Sequence, residues 1–183
     1  MHKLPREFYD RKTITVARDL LGKLLVHNCD GVERVGRIVE TEAYLGPHDL
    51  AAHSARGMTA RNKVMFGAPG HAYVYFIYGM YFCMNVVTEA EGHASAVLLR
   101  AIDPVRNVEE RGCGPGLLCR AMSIDKRLNG HDLLSDDFFI AAPARSEVFK
   151  IVTRPRIGVD YARHWAKRHL RFYIRGNACV SRI

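Results

Sequence analysis

Arg34-Val35-Gly36-Arg37-Ile38-Val39-Glu40-Thr41-Glu42-Ala43-Tyr44 reads as a β-strand. Val39 and Thr41 are β-branched, and Arg34 to Arg37 continue the extended pattern. Strand side chains alternate faces, so Glu40, Glu42 and Tyr44 point one way and Val39, Thr41 and Ala43 the other. Two carboxylates and a phenol on one face conflict with core packing, because carboxylates are rarely buried unless paired or functional. Two readings are open. One is the polar face of an edge strand, with Glu40 or Glu42 in an ion pair. The other is a desolvated general base beside an aromatic wall.

Upstream of this strand, Pro5 to Tyr9 is a lead-in. Thr13 to Leu21 has helical apolar spacing and stops at Gly22. Lys23 to Cys29 reads as a strand, and Asp30-Gly31 is a hairpin turn that returns the chain into the Glu42 strand. Downstream, Gly46-Pro47-His48-Asp49 ends the strand. Asp49 is placed to cap a helical turn through Leu50 to His53. Ser54 to Pro69 reads as a loop carrying Arg56, Arg61 and Lys63.

Ala72 to Val87 is aromatic and interrupted by one glycine, Gly79. A hairpin with its tip at Tyr78-Gly79-Met80 pairs Ile77 with Tyr81, Tyr75 with Cys83 and Tyr73 with Asn85. Tyr75 and Asn85 then share a face, and Tyr78 and Met80 protrude. Most of these rings suit a core; a Tyr and a Met at an exposed tip do not. Ala96 to Ile102 is a strand with Arg100 inside an apolar run, and Val105 to Gly112 a loop with a helical turn. Gly112-Cys113-Gly114-Pro115-Gly116 precedes a helix marked by Leu117, Leu118 and Met122. Its spacing matches neither the P-loop nor the dinucleotide fingerprint. Phe138 to Ala142 and Phe149 to Thr153 are strands and Asp160 to Arg168 is helical. Leu170 to Ile174 closes the sheet with Arg171, Tyr173 and Arg175 on one face. There is no internal repeat, low-complexity tract or linker.

The 183 residues suit a single domain spanning 1–183, and 48% hydrophobic content supports a core. No run of about 18 apolar residues could span a membrane, and Met1 to Arg6 lacks the apolar segment of a signal peptide. Five cysteines without Cys-x-x-Cys spacing read as reduced cytosolic thiols. From Ala144 to Ile183 there are ten Lys/Arg and two Asp/Glu, so the last forty residues carry the whole net charge of +8. That segment is a candidate electrostatic footprint for a polyanion, against the plainer reading of a solvated basic surface.

Nine histidines raise the question of a metal, but His48 and His53 are five apart, not at the helical i, i+4 spacing of a zinc pair. The expectation is no metal. Ser54 lacks the G-x-S-x-G elbow of a serine hydrolase. No lysine lies in the apolar setting that would make it a nucleophile. Glu42 remains, with Tyr44, His53, Tyr75 and Asn85 as possible pocket walls. Aromatics stack on planar rings, an amide reads donors and acceptors, and a carboxylate can activate water.

At these residues the chain resembles a known family. Gly36 to Pro47, Ala51-Ala52-His53-Ser54, Arg61-Asn62, Met65-Phe66, Tyr73-Val74-Tyr75, Tyr78 to Asn85 and Val97 to Ala101 closely resemble the alkyladenine (3-methyladenine) DNA glycosylases. Gly114-Pro115, Leu118-Cys119 and Leu170 to Tyr173 extend the resemblance over nearly the whole chain. It implies a monofunctional base-excision repair enzyme that flips alkylated or deaminated purines out of duplex DNA, hydrolyses the N-glycosidic bond and leaves an abasic site. It implies that Glu42 is the general base, that Tyr44, His53 and Tyr75 sandwich the flipped base, and that Asn85 rejects the amino group of normal guanine. It also implies that Tyr78 fills the gap in the duplex with Met80 beside it, that Arg100 contacts DNA backbone near the lesion, and that Arg61 is a further DNA-binding cation. No cofactor is implied. The partner expected is damaged double-stranded DNA bound by a monomer, in the cytoplasm of a bacterium or the nucleus of a eukaryote, with no membrane. A binding module that recognises distorted DNA without cleaving it is the alternative. The fold expected is α+β: one compact domain with a curved, mostly antiparallel sheet, flanking helices and a protruding, DNA-intercalating hairpin.

Overall fold

The computed structural model describes residues 1–145 and 147–183. Its elements are β1 (His2–Lys3), α1 (Arg6–Tyr9), α2 (Thr13–Asp19), β2 (Leu24–Cys29), β3 (Val32–Tyr44), β4 (Ala72–Ile77), β5 (Tyr81–Thr88), β6 (Ser95–Arg106), β7 (Gly112–Cys113), α3 (Pro115–Ala121), β8 (Phe138–Ala142), β9 (Ile151–Arg154) and β10 (Arg171–Ile174), with short 3-10 segments between them. The strands form one sheet in the order β1-β8-β2-β3-β6-β5-β4, with β10 on β3, β9 on β10 and β7 on β6. Each strand pairing among the described residues is antiparallel. The architecture is the expected compact α+β domain, and one continuous core draws on side chains from Leu4 to Ile174.

β3 is the axis of this sheet, not an edge strand, which removes the solvated-edge reading of its carboxylates. On one side it pairs with β6 from Val35 to Tyr44. On the other it pairs first with β2 over Val32 to Arg37, then with β10 over Glu40 to Glu42. The sheet forks where one neighbour replaces the other, and there the β3–β6 register shifts on both sides of Glu40. Bulges of this kind re-aim side chains. Gly36 precedes the fork because a Cβ at that position would lie 2.4 Å from Ile102 Cδ1.

The alternation read from the sequence holds along this strand. The Thr41 hydroxyl donates to the Ala17 carbonyl of α2 at 2.8 Å, so the Val39, Thr41 and Ala43 face is the one that α2 covers. Val16, Leu20, Ile38 and Val39 are fully buried, each contributing roughly 1.5–3 kcal/mol of transfer free energy. Glu40, Glu42 and Tyr44 face the opposite layer.

The β4–β5 hairpin has the expected register, Tyr73 with Asn85, Tyr75 with Cys83 and Ile77 with Tyr81. Other expectations shift. Residues 54–69 contain two 3-10 turns, His53–Arg56 and Lys63–Phe66. β6 runs on to Arg106, and 107–112 holds no helical turn. Asp160–Lys167 is 3-10, interrupted at Ala162 and Arg163, where φ reaches 53° at Arg163; apolar spacing alone does not report such a break.

Candidate active site

Sheet register assembles the site. Directly opposed residues of neighbouring strands share a face, and one such row crosses the sheet: Arg171 on β10, Glu42 on β3, Leu98 on β6, Asn85 on β5 and Tyr73 on β4. Above this row lies a cavity of about 470 Å³, walled by Tyr44, His53, Tyr73, Tyr75, Asn85 and Arg100, among others. The loop Ile157 to Tyr161 and the α3 entry Gly114 to Leu117 complete its rim. Four of the five residues expected at the base pocket and catalytic position therefore line one cavity. The fifth, Glu42, lies immediately behind the lining residues Tyr44, Arg100 and Ile157.

Glu42 is 0% exposed. Its Oε1 accepts the Ile157 N–H at 2.8 Å and its Oε2 accepts the Tyr44 hydroxyl at 2.9 Å. Arg100 Nη1 stands 3.4 Å from Oε1. Each carboxylate oxygen has two lone pairs, so these contacts leave acceptor capacity. Glu40 is also fully buried and likewise carries a donor on each oxygen, but its partners lie away from the cavity lining: Arg171 Nη1 donates to Oε1 at 2.8 Å and Ser181 N–H to Oε2 at 2.7 Å. The ion-paired reading thus applies to Glu40, and the second carboxylate of the motif faces the cavity wall.

Tyr44 is clamped. Its hydroxyl is held by Glu42, and the Arg156 guanidinium covers its ring at 4.7 Å. Arg156 is itself in a buried bidentate pair with Asp49, at 2.6 and 2.8 Å, and donates to the Ala43 carbonyl. Asp49 accepts the Ala51 N–H as the turn cap expected of it. The sequence carried no sign of its larger role. Burial, then the Glu42 charge, pushes the Tyr44 phenol far above its ordinary range, so it stays a donor.

His53 and Tyr75 are in edge contact, with ring centroids 4.6 Å apart. A planar base between two rings needs them about 7 Å apart, twice the carbon contact distance of about 3.5 Å. These two rings therefore form one wall, and Tyr44 is the ring available to face it. Tyr73, unassigned in the sequence, bonds His53 Nδ1 through its hydroxyl at 2.8 Å and fixes that wall. Asn85 is nearly buried, and its amide donates to the Tyr73 carbonyl at 3.2 Å.

At the hairpin tip Tyr78 is 81% exposed and Met80 65% exposed. Tyr78 adopts φ 55°, which costs a bulky residue roughly 1–2 kcal/mol. Backbone strain combined with an exposed aromatic is a mark of function rather than of packing. Arg61 donates to the Phe76 carbonyl at 2.8 Å and lies 5.4 Å over the Tyr75 ring, so it braces the hairpin from the outside.

Two expectations change with these positions. Arg100 is only 7% exposed and is engaged by Glu40 and Glu42. It belongs to the cavity floor and not to an outer phosphate-binding surface, because two buried anions hold it. Likewise Arg156 and Arg171, counted in the basic C-terminal segment, are buried and neutralised by Asp49 and Glu40. The electrostatic footprint is smaller than the charge count implied.

Burial, with Arg61 alongside, lowers the His53 pKa below 6.5, and burial lowers that of His27 despite its bond to the Met122 carbonyl. The unfolded chain therefore takes up protons near pH 6.5 before the folded chain does. Stability is full above pH 6.5 and falls as pH drops through that value toward the lower folded-state pKa values. The urea midpoint should be lower at pH 5.5 than at pH 7.5, with a smaller difference in His27→Gln. An equal midpoint at both pH values would contradict the buried neutral state of these imidazoles.

Comparison with known proteins gives a consistent picture. A family model described as "Methylpurine-DNA glycosylase (MPG)" matches residues 7–178. A Legionella pneumophila (strain Corby) protein, provisionally named 3-methyladenine DNA glycosylase, is 60% identical over 182 residues, covering 100% of both chains. A protein of Anaeromyxobacter sp. (strain Fw109-5) with the same provisional name is 57% identical over 183 residues, covering 98% of this chain and 93% of that one. Another from Methanocella arvoryzae is 52% identical over 197 residues, covering 100% of this chain and 97% of its relative.

Proposed function

The chain belongs to the methylpurine-DNA glycosylase family, and from that premise we propose that it extrudes 3-methyladenine, 7-methylguanine, ethenoadenine or hypoxanthine from duplex DNA and hydrolyses its glycosidic bond. The observation that carries this reading is a buried carboxylate, Glu42, held by two lining residues behind an aromatic cavity whose mouth bears a strained, exposed tyrosine. Membership in a family of N-glycosyl hydrolases removes the alternative of a non-catalytic binding module.

In the proposed reaction the flipped purine enters between Tyr44 and the His53–Tyr75 wall. Water, oriented by Glu42 at the Arg100 and Ile157 side of the cavity, attacks C1′. The C1′–N bond breaks, the purine departs with the bonding pair, and the water proton passes to Glu42. The carboxylate also stabilises positive charge developing on the sugar. 3-Methyladenine and 7-methylguanine are cationic in the nucleotide and leave readily as neutral bases, so for them the protein is asked mainly for positioning and proton removal; ethenoadenine and hypoxanthine are neutral and depart as anions that take a proton from water. Asn85, fixed by Tyr73, presents its amide where the exocyclic amino group of guanine would sit, a repulsive element against a normal base.

Tyr78 enters the gap that the flipped nucleotide leaves, in the manner of apolar wedges that unstack a duplex. Exposed cations at the mouth, Arg61 among them, supply sequence-independent phosphate contacts. Pocket and wedge come from one chain, which supports action as a monomer, and five free thiols suit a reducing cytoplasm.

Duplexes with a single ethenoadenine, hypoxanthine or 3-methyladenine, incubated with the protein and then treated with alkali, test this reading. Strand breaks at the lesion are expected, and none on any substrate would overturn it. Tyr78→Ala should weaken capture of the lesion from duplex about tenfold or more, in line with a stacking contact of roughly 1–3 kcal/mol, while affecting single-stranded substrate little. Equal losses on both substrates would remove the wedge assignment.

A further inference from the structure

Arg100 lies between two anions. Its Nη1 is 3.4 Å from Glu42 Oε1, and its Nε is 3.4 Å from Glu40 Oε1, an ionic distance without hydrogen-bond geometry. Its Nη2 reaches the Ser181 hydroxyl at 3.2 Å. Arg100 therefore closes on neither carboxylate, although both are within reach of small rotations of its side chain. Glu40 cannot follow it, because Arg171 Nη1 and the Ser181 N–H hold both of its oxygens and Arg171 also donates to the Arg182 carbonyl.

We propose that Glu40 is a positioning residue: anchored by β10 and the segment around Ser181, it draws the Arg100 guanidinium off Glu42 and so leaves acceptor positions of the Glu42 carboxylate to water. The inference rests on the glycosylase reading above. Its physical basis is competition. A guanidinium offered one carboxylate forms a bidentate fork with it. Offered two, it settles between them. Without the charge on Glu40, Arg100 has Glu42 as its remaining buried anionic partner, and the fork would occupy the acceptor positions that water needs.

The charged and titratable groups around Glu42 are Glu40 and Tyr44 on its own strand, Arg100 on β6, Arg171 on β10, Tyr75 and Cys83 from the hairpin, and Arg156 from the loop between β9 and β10. Among them Glu40 is the like-charged neighbour that shares Arg100 with Glu42. Removing its charge withdraws a repulsion and brings a cation closer. Both changes tie the Glu42 carboxylate more tightly to Arg100 and leave less of it to water.

Glu40→Gln tests this on a duplex carrying 7-methylguanine, a cationic lesion whose departure needs no added proton. Expected are single-turnover release slowed about tenfold or more, affinity for the lesion duplex within about twofold of wild type, and the acid limb of the pH–rate profile displaced to lower pH. A limb that stays in place, with release lowered only in proportion to the folded fraction, would overturn the proposal. If Glu40→Gln alone does not fold, Glu40→Gln/Arg171→Gln removes the paired charges together and should show the same lowered limb. The Glu42 side-chain carboxyl 13C titration, followed by NMR without substrate, separates the two levels of inference. A midpoint that moves down in the variant sustains the positioning role even if the wild type releases no purine. An unmoved midpoint sinks that role while leaving the glycosylase reading intact.

Discussion

Glu42→Gln should lower purine release from damaged duplex by roughly 10²–10⁴-fold, the usual contribution of a positioned general base, while the variant still binds the lesion. The substitution is nearly isosteric, so the strand is not disturbed. The amide oxygen can still accept one of the two donors that hold the carboxylate, the Ile157 N–H or the Tyr44 hydroxyl. Its NH2 group must then face the other, which weakens that contact. What is lost outright is the anion, both as proton acceptor and as counterion to the developing sugar cation. Affinity for an ethenoadenine duplex should be unchanged or tighter, since one negative charge leaves a site that faces a polyanion. Single-turnover release and a parallel binding isotherm measure the two quantities. Release at the wild-type rate would end the assignment of Glu42 as the base.

Asp49→Asn should destabilise the fold more than Glu42→Gln or Tyr78→Ala, although Asp49 touches no substrate in the proposed reaction. The Asp49 and Arg156 side chains are both fully buried. Breaking a buried pair by removing one partner costs about 3–5 kcal/mol, because it strands the other charge. For a chain of this size that corresponds to a fall in Tm of roughly 10 °C. The effect should also reach the site, because Arg156 covers the Tyr44 ring and bonds the Ala43 carbonyl. Asp49→Asn/Arg156→Gln should recover part of the lost stability. If the double variant were as unstable as the sum of the two single variants, the pair would not be the source of the loss.

Local physics made much of this molecule readable from its residues. The alternation of side chains along β3 grouped Glu40, Glu42 and Tyr44, because a strand has a period of two wherever it sits. The hairpin register followed from one glycine in an aromatic run. Gly79 takes φ 68° and Tyr78 φ 55°, and once the turn is located every pair behind it is set. The motifs carrying the family resemblance lie on these same elements, so the identity of the pocket walls came with them.

Whether β3 was an edge or the axis of the sheet was not readable, because its second edge is covered by β10, which lies more than a hundred residues further along the chain. The environments of the two carboxylates were not readable for the same reason. Ile157 reaches Glu42 across 115 positions, Arg171 and Ser181 reach Glu40 across 131 and 141, and Arg156 reaches Asp49 across 107. Sequence alone determined that two carboxylates share one face of a strand, since backbone geometry requires it. Only the tertiary structure decided that Glu40 is held by Arg171 and Ser181 away from the cavity while Glu42 is held by Tyr44 and Ile157 at its wall, because that difference is made by the distant segments whose donors fold onto each one.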